Sequence, residues 1–256
     1  MLKVKNLNFK YNRKEILNEI SFNIEEGNLC GLLGPNGSGK TTLFKCCLNF
    51  LKFKEGEVIM DGENIKDKAI EQMAKLVAYV PQEHKPPFPY SVEEIVLMGR
   101  TPHLGGVFGI CHEDRHKADD ALKLLGIKDL ADEPYNHLSG GQRQLVLIAR
   151  AVTQETKLLF LDEPTSALDF KNQVKIWKIL QKISRKGTTI FACTHDPNHV
   201  LWFCDKVIVM GDKGIIADGK PSDSITDEIL FGIYGGICKV KNFGGVNMVV
   251  PSGIVD

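Results

Sequence analysis

The sequence lacks several features that would each assign it to a particular class of protein. No apolar run approaches the ~20 residues that a membrane-spanning helix needs, and residues 1–6 lack the long apolar run of a secretory signal peptide. The seven cysteines form no C-x-x-C pair, which favours reduced thiols in a cytosolic protein over a disulfide framework. Lys plus Arg (32) equals Asp plus Glu (32), and this zero net charge disfavours general nucleic-acid binding.

The remaining composition is that of a soluble globular protein. The 256 residues are 43% hydrophobic and 25% charged, and the length suffices for one large domain or two small ones. No internal repeat or low-complexity tract is present. Composition therefore excludes fibrous, secreted disulfide-rich and membrane-spanning classes, and leaves function to the motifs.

Residues 34–41 match the P-loop pattern G-x-x-x-x-G-K-[ST] between a buried strand (29–33) and a helix that begins near Thr42. Glycines allow the loop to wrap closely around phosphates, which its backbone N–H groups and the helix N-terminus then bind. Lys40 can reach the β- and γ-phosphates, and the Thr41 hydroxyl can hold Mg²⁺. The predicted nucleotide-binding residues here are Gly34, Pro35, Asn36, Gly37, Ser38, Gly39, Lys40, Thr41 and Thr42.

Two further stretches carry chemistry that complements a P-loop. The apolar strand 158–161 ends in Asp162, which can hold the cation, and Glu163, which can act as general base on a water. Residues 138–142 (Leu-Ser-Gly-Gly-Gln) open a helix with exposed N–H groups, which predicts a second anion-binding site.

The rest of the chain alternates strands and helices. A capping box at Ser91 predicts a helix running to about Arg100, and Gly126 is expected to stop a second helix over 113–125. Residues 157–161 and 188–194 are predicted strands, 207–217 is a predicted hairpin, and 85–89 is a proline-rich linker. The last thirty residues show no interpretable pattern. His112 and His116 match H-E-x-x-H, but the charged neighbours predict a solvated helix face rather than a zinc site.

Taken together and in this order, the motifs resemble those of the nucleotide-binding subunits of ATP-binding cassette (ABC) transporters, and the resemblance spans essentially the whole chain. It rests on the P-loop, Gln82 after a strand, residues 138–142, Asp162-Glu163, residues 166–169 (Ser-Ala-Leu-Asp) and residues 194–196 (Thr-His-Asp). It implies an α/β fold with a P-loop NTPase (RecA-like) core, an N-terminal antiparallel β subdomain and an inserted α-helical subdomain. One nucleotide-binding domain would cover 1–256, with the core and β subdomain at 1–85 and 154–256 and the helical subdomain at 86–153.

The resemblance also implies roles for single residues. Tyr11 would stack on adenine, with Phe9 as a rival, and His195 would donate a hydrogen bond to the γ-phosphate and orient Glu163. Gln82 would touch Mg²⁺ and the attacking water. The residues expected to bind the ATP held by the other protomer are Ser139, Gly140, Gly141 and Gln142, and those expected at the dimer interface are Ser166 and Asp169.

The implied assembly is a head-to-tail homodimer with two ATP molecules and Mg²⁺ in its interface, peripheral to the cytoplasmic face of the cell membrane. Its partners would be a polytopic membrane permease on a separate chain and, indirectly, a substrate-binding protein, with no nucleic acid. ATP-driven closure would move the helical insert against the permease.

The motifs are compatible with several cargo classes. Residues 96–104 are similar to importer ATPases for ferric siderophores, haem and cobalamin, and molybdate importers share much of the stretch. The expected order is ferric siderophore or haem, then cobalamin, then molybdate or another oxyanion. An alternative of another class is a soluble ABC ATPase of iron–sulfur cluster assembly, although Gln142-Arg143-Gln144 favours import. A small-molecule kinase is a third class, which residues 138–142 argue against.

Overall fold

The computed structural model describes residues 1–82, 88–104, 109–166 and 168–253. Most of the predicted linker over 85–89 and Ala167 lie outside the described residues. The strands are β1 (Leu2–Tyr11), β2 (Lys14–Ile24), β3 (Leu29–Leu33), β4 (Glu55–Met60), β5 (Glu63–Asn64), β6 (Val77–Val80), β7 (Leu158–Asp162), β8 (Thr189–Thr194), β9 (Lys206–Met210), β10 (Ile215–Gly219), β11 (Cys238–Phe243) and β12 (Val246–Pro251). The α-helices are α1 (Lys40–Cys47), α2 (Ile70–Leu76), α3 (Val92–Leu97), α4 (His112–Leu125), α5 (Gly140–Thr153), α6 (Phe170–Ser184), α7 (Pro197–Phe203), α8 (Pro221–Ser224) and α9 (Asp227–Tyr234).

A mainly parallel sheet forms the centre of the fold. Within the described residues its strand order is β10-β9-β3-β8-β7-β6, and only β10 runs antiparallel to its neighbour. β3, β7 and β8 are buried along their whole length, as near-continuous apolar runs in a parallel sheet require. The predicted strands at 29–33, 157–161 and 188–194 and the hairpin at 207–217 are confirmed.

A second, antiparallel sheet of order β2-β1-β4-β5 packs against one side of this core. The β1–β2 hairpin comes close to the P-loop, because a Cβ placed on Gly39 would lie 3.0 Å from a methyl group of Leu17. Beneath it, the rings of Phe44, Phe160 and Phe191 pack with centroids 4.8 to 5.4 Å apart. The N-terminal antiparallel sheet predicted from the resemblance is therefore present and positions the P-loop.

Helices α3, α4 and α5 pack together on the other side of the sheet. Their buried residues belong to one apolar cluster with Val80 and Leu159 of the sheet and Trp177 of α6, so the helical region shares its core with the sheet. The helix predicted from Ser91 to about Arg100 is shorter in the structure: α3 ends at Leu97 and continues as a 3₁₀-helix, Met98–His103. Pro102 contributes to the change, since it has no N–H to donate to the Met98 carbonyl oxygen, which accepts from the Thr101 hydroxyl at 2.7 Å instead. Across the described residues, no helix is both long and apolar enough to cross a bilayer.

The C-terminal residues, which the sequence left uninterpreted, form helix α9 and a β11–β12 hairpin. Gly244 and Gly245 make the hairpin turn and both have positive φ (58° and 90°), which a two-residue turn of this kind requires. The hairpin contacts α7 through Asn198, whose side chain accepts from the Val249 N–H (2.8 Å) and donates to its carbonyl oxygen (3.1 Å). The Gly-Gly pair was a usable hairpin signal that the sequence analysis missed.

A buried ion pair joins the helical region to the core. Arg100 Nε donates to Asp114 Oδ1 at 2.9 Å, and Arg100 Nη1 donates to the Thr153 carbonyl oxygen at 2.8 Å and to Glu155 Oε2 at 2.9 Å. The solvated face predicted for residues 113–117 was therefore wrong at Asp114, which is buried and faces Arg100. Hydrogen bonds from Arg100 and from Cys111 hold the pKa of Asp114 down, at about 2.

We expect Asp114→Asn to lower the free energy of unfolding by about 3 kcal/mol, because it leaves a buried guanidinium without its carboxylate. Urea unfolding of the full chain measures this. Since the Asp114 pKa is lowered from 3.8 to about 2, the pair stabilises the fold above pH ~4 and that stabilisation is lost as the pH falls towards 2. The difference between wild type and variant should therefore shrink over that interval.

The matched control is Asp120→Asn on the same helix, whose exposed side chain lies 3.6 Å from His116 and should contribute under about 1 kcal/mol. Equal losses in the two variants would contradict the special role of the buried pair.

Candidate functional site

The carboxyl ends of neighbouring parallel strands bring the predicted site residues to one edge of the sheet. Leu33, just before the P-loop, pairs with Thr194, and Asp162 pairs with Cys193 on the other side of β8. Val80, two residues before Gln82, pairs with Leu161. Parallel register therefore places the P-loop, Gln82, Asp162-Glu163 and His195 together, at the edge where ligands of such sheets bind.

The P-loop follows β3 and has a tightly constrained shape. A Cβ on Gly34 would lie 2.7 Å from the Met210 carbonyl oxygen, so only glycine fits there. Lys40 is buried, and its Nζ donates to the carbonyl oxygens of Gly34 (2.9 Å) and Pro35 (3.0 Å). Ser38 Oγ is buried and has no hydrogen-bond partner among the described residues. The loop thus places the Lys40 ammonium group and the unsatisfied Ser38 hydroxyl together at the start of α1. Two such donors suit an anionic ligand.

Asp162 ends β7 in a buried position beside the P-loop. Burial raises the pKa of this carboxyl, the neighbouring Glu163 charge raises it further, and the Thr41 hydroxyl and the Cys193 thiol oppose the shift. Asp162 Oδ1 has no hydrogen-bond partner among the described residues. A buried carboxylate with an unsatisfied oxygen next to a threonine hydroxyl is a donor set that fits a small divalent cation.

Glu163 lies where the chain leaves β7, and two other predicted residues converge on its Oε2 atom. Gln82 Nε2 donates to this oxygen at 3.3 Å, and His195 Nδ1 lies 3.4 Å from it. The Glu163 backbone has a φ of +49°, in the left-handed region that disfavours side chains. Its N–H donates to the Cys193 carbonyl oxygen at 3.2 Å, which fixes this strained turn to β8. Strained backbone of this kind clusters at functional sites.

Residues 138–142 form a separate group with the start of α6. Ser139 is the N-cap of α5, with its Oγ accepting from the Gln142 N–H and its own N–H donating to Gln142 Oε1. A Cβ on Gly141 would lie 3.1 Å from Asn172, whose backbone N–H is in turn capped by Asp169 at 2.8 Å. Ser139 and Gly140 are exposed, so this helix N-terminus faces solvent.

The two candidates for an adenine-stacking ring differ in accessibility. Tyr11 is 46% exposed near the tip of the β1–β2 hairpin, whereas Phe9 is half-buried against the core beneath it. The rings meet edge to face with centroids 4.9 Å apart. Tyr11 is thus the ring of this pair that offers more surface to a base.

Two residues near these groups were not singled out from the sequence. Tyr79 on β6 contacts Asp162, and burial together with the Asp162 carboxylate raises the pKa of its phenol to about 12. Asn172 lies against Gly141, as described above. Neither belongs to a local motif, because each reaches the site only through the packing of neighbouring elements.

Comparison with known proteins decides the family. The family model described as "ABC transporter" matches residues 17–166, which is more than half of the chain. The chain belongs to the ABC transporter family. The P-loop, Gln82, residues 138–142 and Asp162-Glu163 all lie inside the matched range, and the chain carries an ABC ATPase domain that binds ATP.

Named relatives of this ABC transporter family member extend over nearly its full length. A Helicobacter pylori protein named "Probable iron chelatin transport ATP-binding protein" is 39% identical over 237 residues, covering 91% of this chain and 92% of that protein. The ferric enterobactin transport ATP-binding protein of Escherichia coli is 32% identical over 255 residues, covering 98% and 94% respectively.

Solved ABC ATPase structures share the fold. A chain from a metal-chelate type ABC transporter in an inward-facing conformation superimposes with a TM-score of 0.85 at 32% identity, covering 98% of this chain and 96% of that one. An ATP-binding cassette in a dimeric, post-hydrolysis state with ADP and Pi gives a TM-score of 0.75 at 30% identity, covering 86% and 99%. The fold class inferred from the resemblance is therefore confirmed.

The strain at Glu163 yields a stability prediction. We expect Glu163→Gly to be more stable than Glu163→Ala by about 1 kcal/mol, because glycine accepts the positive φ without steric cost. The free energy of unfolding of both variants, measured by urea titration, gives the difference.

In the matched control pair at Lys178, an exposed position inside helix α6, the order should reverse, with alanine more stable by about 1 kcal/mol. An alanine variant at 163 that is as stable as the glycine variant would show that the backbone there is unstrained.

Proposed function

We propose that this chain is the ATP-hydrolysing subunit of a membrane importer whose cargo is a ferric siderophore, haem or a related iron chelate. The convergence of Gln82 and His195 on Glu163 Oε2, beside Asp162 and the P-loop, is the observation that carries the hydrolytic part of the proposal. The iron chelatin and ferric enterobactin relatives and the metal-chelate type structure support the cargo class.

The P-loop, residues 34–42, would bind the phosphates of ATP. Lys40 Nζ, now bonded to two loop carbonyl oxygens, would exchange them for phosphate oxygens that carry a full charge. The Ser38 hydroxyl would find its missing partner in the same phosphates. Tyr11 would stack on the adenine ring, since the β1–β2 hairpin reaches the P-loop at Leu17.

Thr41, Asp162 and Gln82 would hold Mg²⁺, with Gln82 and Asp162 acting directly or through water. Asp162 Oδ1 would gain a ligand in place of its missing hydrogen bond. When bound, the cation neutralises charge on the phosphates and so favours attack on the γ-phosphorus. Its charge would also keep Asp162 ionised, against the effect of burial on the pKa of this carboxyl.

Glu163 would act as the general base that accepts a proton from the attacking water. His195 and Gln82 position its Oε2 atom through contacts of 3.4 Å and 3.3 Å, and the bond from the Glu163 N–H to Cys193 fixes its backbone. His195 would also donate a hydrogen bond to the γ-phosphate. His195 directly follows β8, whose last residue Thr194 pairs with Leu33 before the P-loop, so it links the proposed base to the P-loop strand.

Residues 139–142 would bind the ATP held by a second copy of the chain in a head-to-tail homodimer. The exposed N-terminus of α5 supports this arrangement, as does the dimeric solved relative. Ser166 and Asp169 would lie at the interface, since Asp169 packs through Asn172 against Gly141.

The dimer would sit on the cytoplasmic face of the membrane beneath a polytopic permease on a separate chain, and a substrate-binding protein would act on it indirectly. Residues 86–153 would form the helical subdomain that transmits closure to the permease. In this proposal the permease contributes no residue to the ATP site. ATP hydrolysis by this chain therefore proceeds in the same way whichever cargo is carried.

We expect Glu163→Gln to bind ATP normally, to abolish turnover, and to accumulate as an ATP-bound dimer, because the amide keeps the shape of the base but cannot accept the proton. Phosphate release measures turnover, and size-exclusion chromatography with ATP measures dimer formation.

Glu133→Gln, the same change at an exposed position of the helical region, is the control and should behave as wild type. A monomeric Glu163→Gln protein with normal turnover would sink the assignment of the base.

The cargo is tested separately, by uptake of labelled ferric siderophore into cells from which the gene has been deleted. Loss of uptake, with recovery when the intact gene is restored, is expected. Unchanged uptake of ferric siderophore and haem would exclude iron chelates as the cargo. Cobalamin, molybdate or another oxyanion would then be the cargo to test. Survival of all uptake together with failing iron–sulfur enzymes would instead indicate a soluble ATPase of cluster assembly.

A further inference from the structure

The C-terminal segment, defined here as residues 227–251, makes a direct contact with the loop that carries His195. Tyr234, the last residue of helix α9, donates its phenolic hydrogen to the His195 carbonyl oxygen at 3.0 Å. The ring is partly buried, and burial raises the pKa of the phenol to about 12, so the hydroxyl keeps its proton as a donor.

Hydrogen bonds between near neighbours also shape this loop. The Asp196 N–H donates to Thr194 Oγ1 at 3.1 Å, and Asp196 Oδ1 caps α7 by accepting from the Asn198 N–H at 2.8 Å. Within the described residues, the Tyr234 hydrogen bond therefore connects the His195 backbone to a part of the chain that is distant in sequence.

The segment itself is fixed on both sides of this contact. Asn198, three residues after His195, makes a pair of hydrogen bonds with Val249 of β12, and Trp202 Nε1 donates to the Asn247 carbonyl oxygen at 3.1 Å. At the other end, the Val240 N–H donates to Asp227 at the start of α9 at 2.7 Å. Helix α9, the hairpin, α7 and the His195 loop thus form a closed ring of contacts.

This ring also reaches the P-loop strand. Leu230 of α9 is fully buried in a cluster with Leu33, the last residue of β3, and with Val200 and Val209. A shift of α9 would therefore displace two parts of the site: Leu33, which precedes the P-loop, and the backbone of His195, whose carbonyl group accepts from Tyr234.

We propose that Tyr234 is a positioning residue for His195, and that the C-terminal segment thereby sets the rate of ATP hydrolysis. The proposal rests on the role assigned to His195 above. The hydroxyl holds the backbone from which the imidazole projects, so that Nδ1 stays within 3.4 Å of Glu163 Oε2. Without it the imidazole occupies the productive position for a smaller fraction of the time, and catalysis slows although ATP still binds.

Tyr234→Phe, which deletes only the hydroxyl, tests the proposal in the purified full chain. We expect kcat for ATP hydrolysis to fall by about threefold to tenfold, the factor that one net hydrogen bond corresponds to, with KM for ATP unchanged. The proton–carbon correlation of the His195 imidazole, assigned from its absence in His195→Ala, should shift or broaden in the Tyr234→Phe protein.

Ser252→Ala is the matched control, because it deletes a hydroxyl that donates at 2.9 Å to the Gly236 carbonyl oxygen of the C-terminal segment and not to the His195 loop. It should leave both kcat and the His195 signal as in wild type. Equal effects of the two variants, or a Tyr234→Phe protein with wild-type kcat and an unmoved His195 signal, would overturn the proposal.

His195→Ala distinguishes this failure from failure of the proposed function. If His195→Ala abolishes turnover while Tyr234→Phe does nothing, only the positioning role is lost. If His195→Ala leaves turnover intact, the catalytic role of His195 falls and the role of Tyr234 falls with it.

Discussion

Two carboxylates that are adjacent in sequence, at the end of a buried strand, repel each other, and the surrounding site is arranged around this repulsion. Asp162 stays inside, beside Thr41 and near Lys40, where burial and the charge of Glu163 both raise its pKa. Glu163 turns out of the strand by adopting a positive φ, which directs its side chain to Gln82 and His195 instead of to the P-loop. The steric cost of that backbone, of order 1 kcal/mol, separates the carboxylate proposed to hold the cation from the carboxylate proposed as base within one dipeptide.

The parallel register of the sheet makes this separation useful. β7 lies between β6 and β8, and β8 lies between β7 and the P-loop strand β3. Gln82 therefore approaches Glu163 from one side and His195 from the other, while Asp162 remains directed at α1. A slip of one residue in β7 would exchange the faces of Asp162 and Glu163, so the register of β7 against β6 and β8 decides which of the two carboxylates lies inside.

Sequence analysis was correct where contiguous motifs determine the local structure. The P-loop, the Ser139 cap and the strand that ends in Asp162 are each contiguous, and their backbone conformations follow from residue type. It failed at Asp114, because a charged residue on a helix is read as exposed unless its partner is known, and Arg100 is 14 residues away. It was silent on Tyr234, whose contact with His195 spans 39 residues and depends on a hairpin packed against α7.

The same contacts suggest where the helical region is held and where it is free. The C-terminal end of α5 is anchored, because Arg100 donates to the Thr153 carbonyl oxygen and His103 Nε2 lies 2.8 Å from that of Gln154. The N-terminal end of α5 is exposed at Ser139 and Gly140, and Gly141 lies against Asn172 at the start of α6. A helix of 14 residues fixed at one end moves most at the other. A rotation of the helical region about this anchored end would therefore displace residues 138–142 most, and these are the residues proposed to contact a second nucleotide.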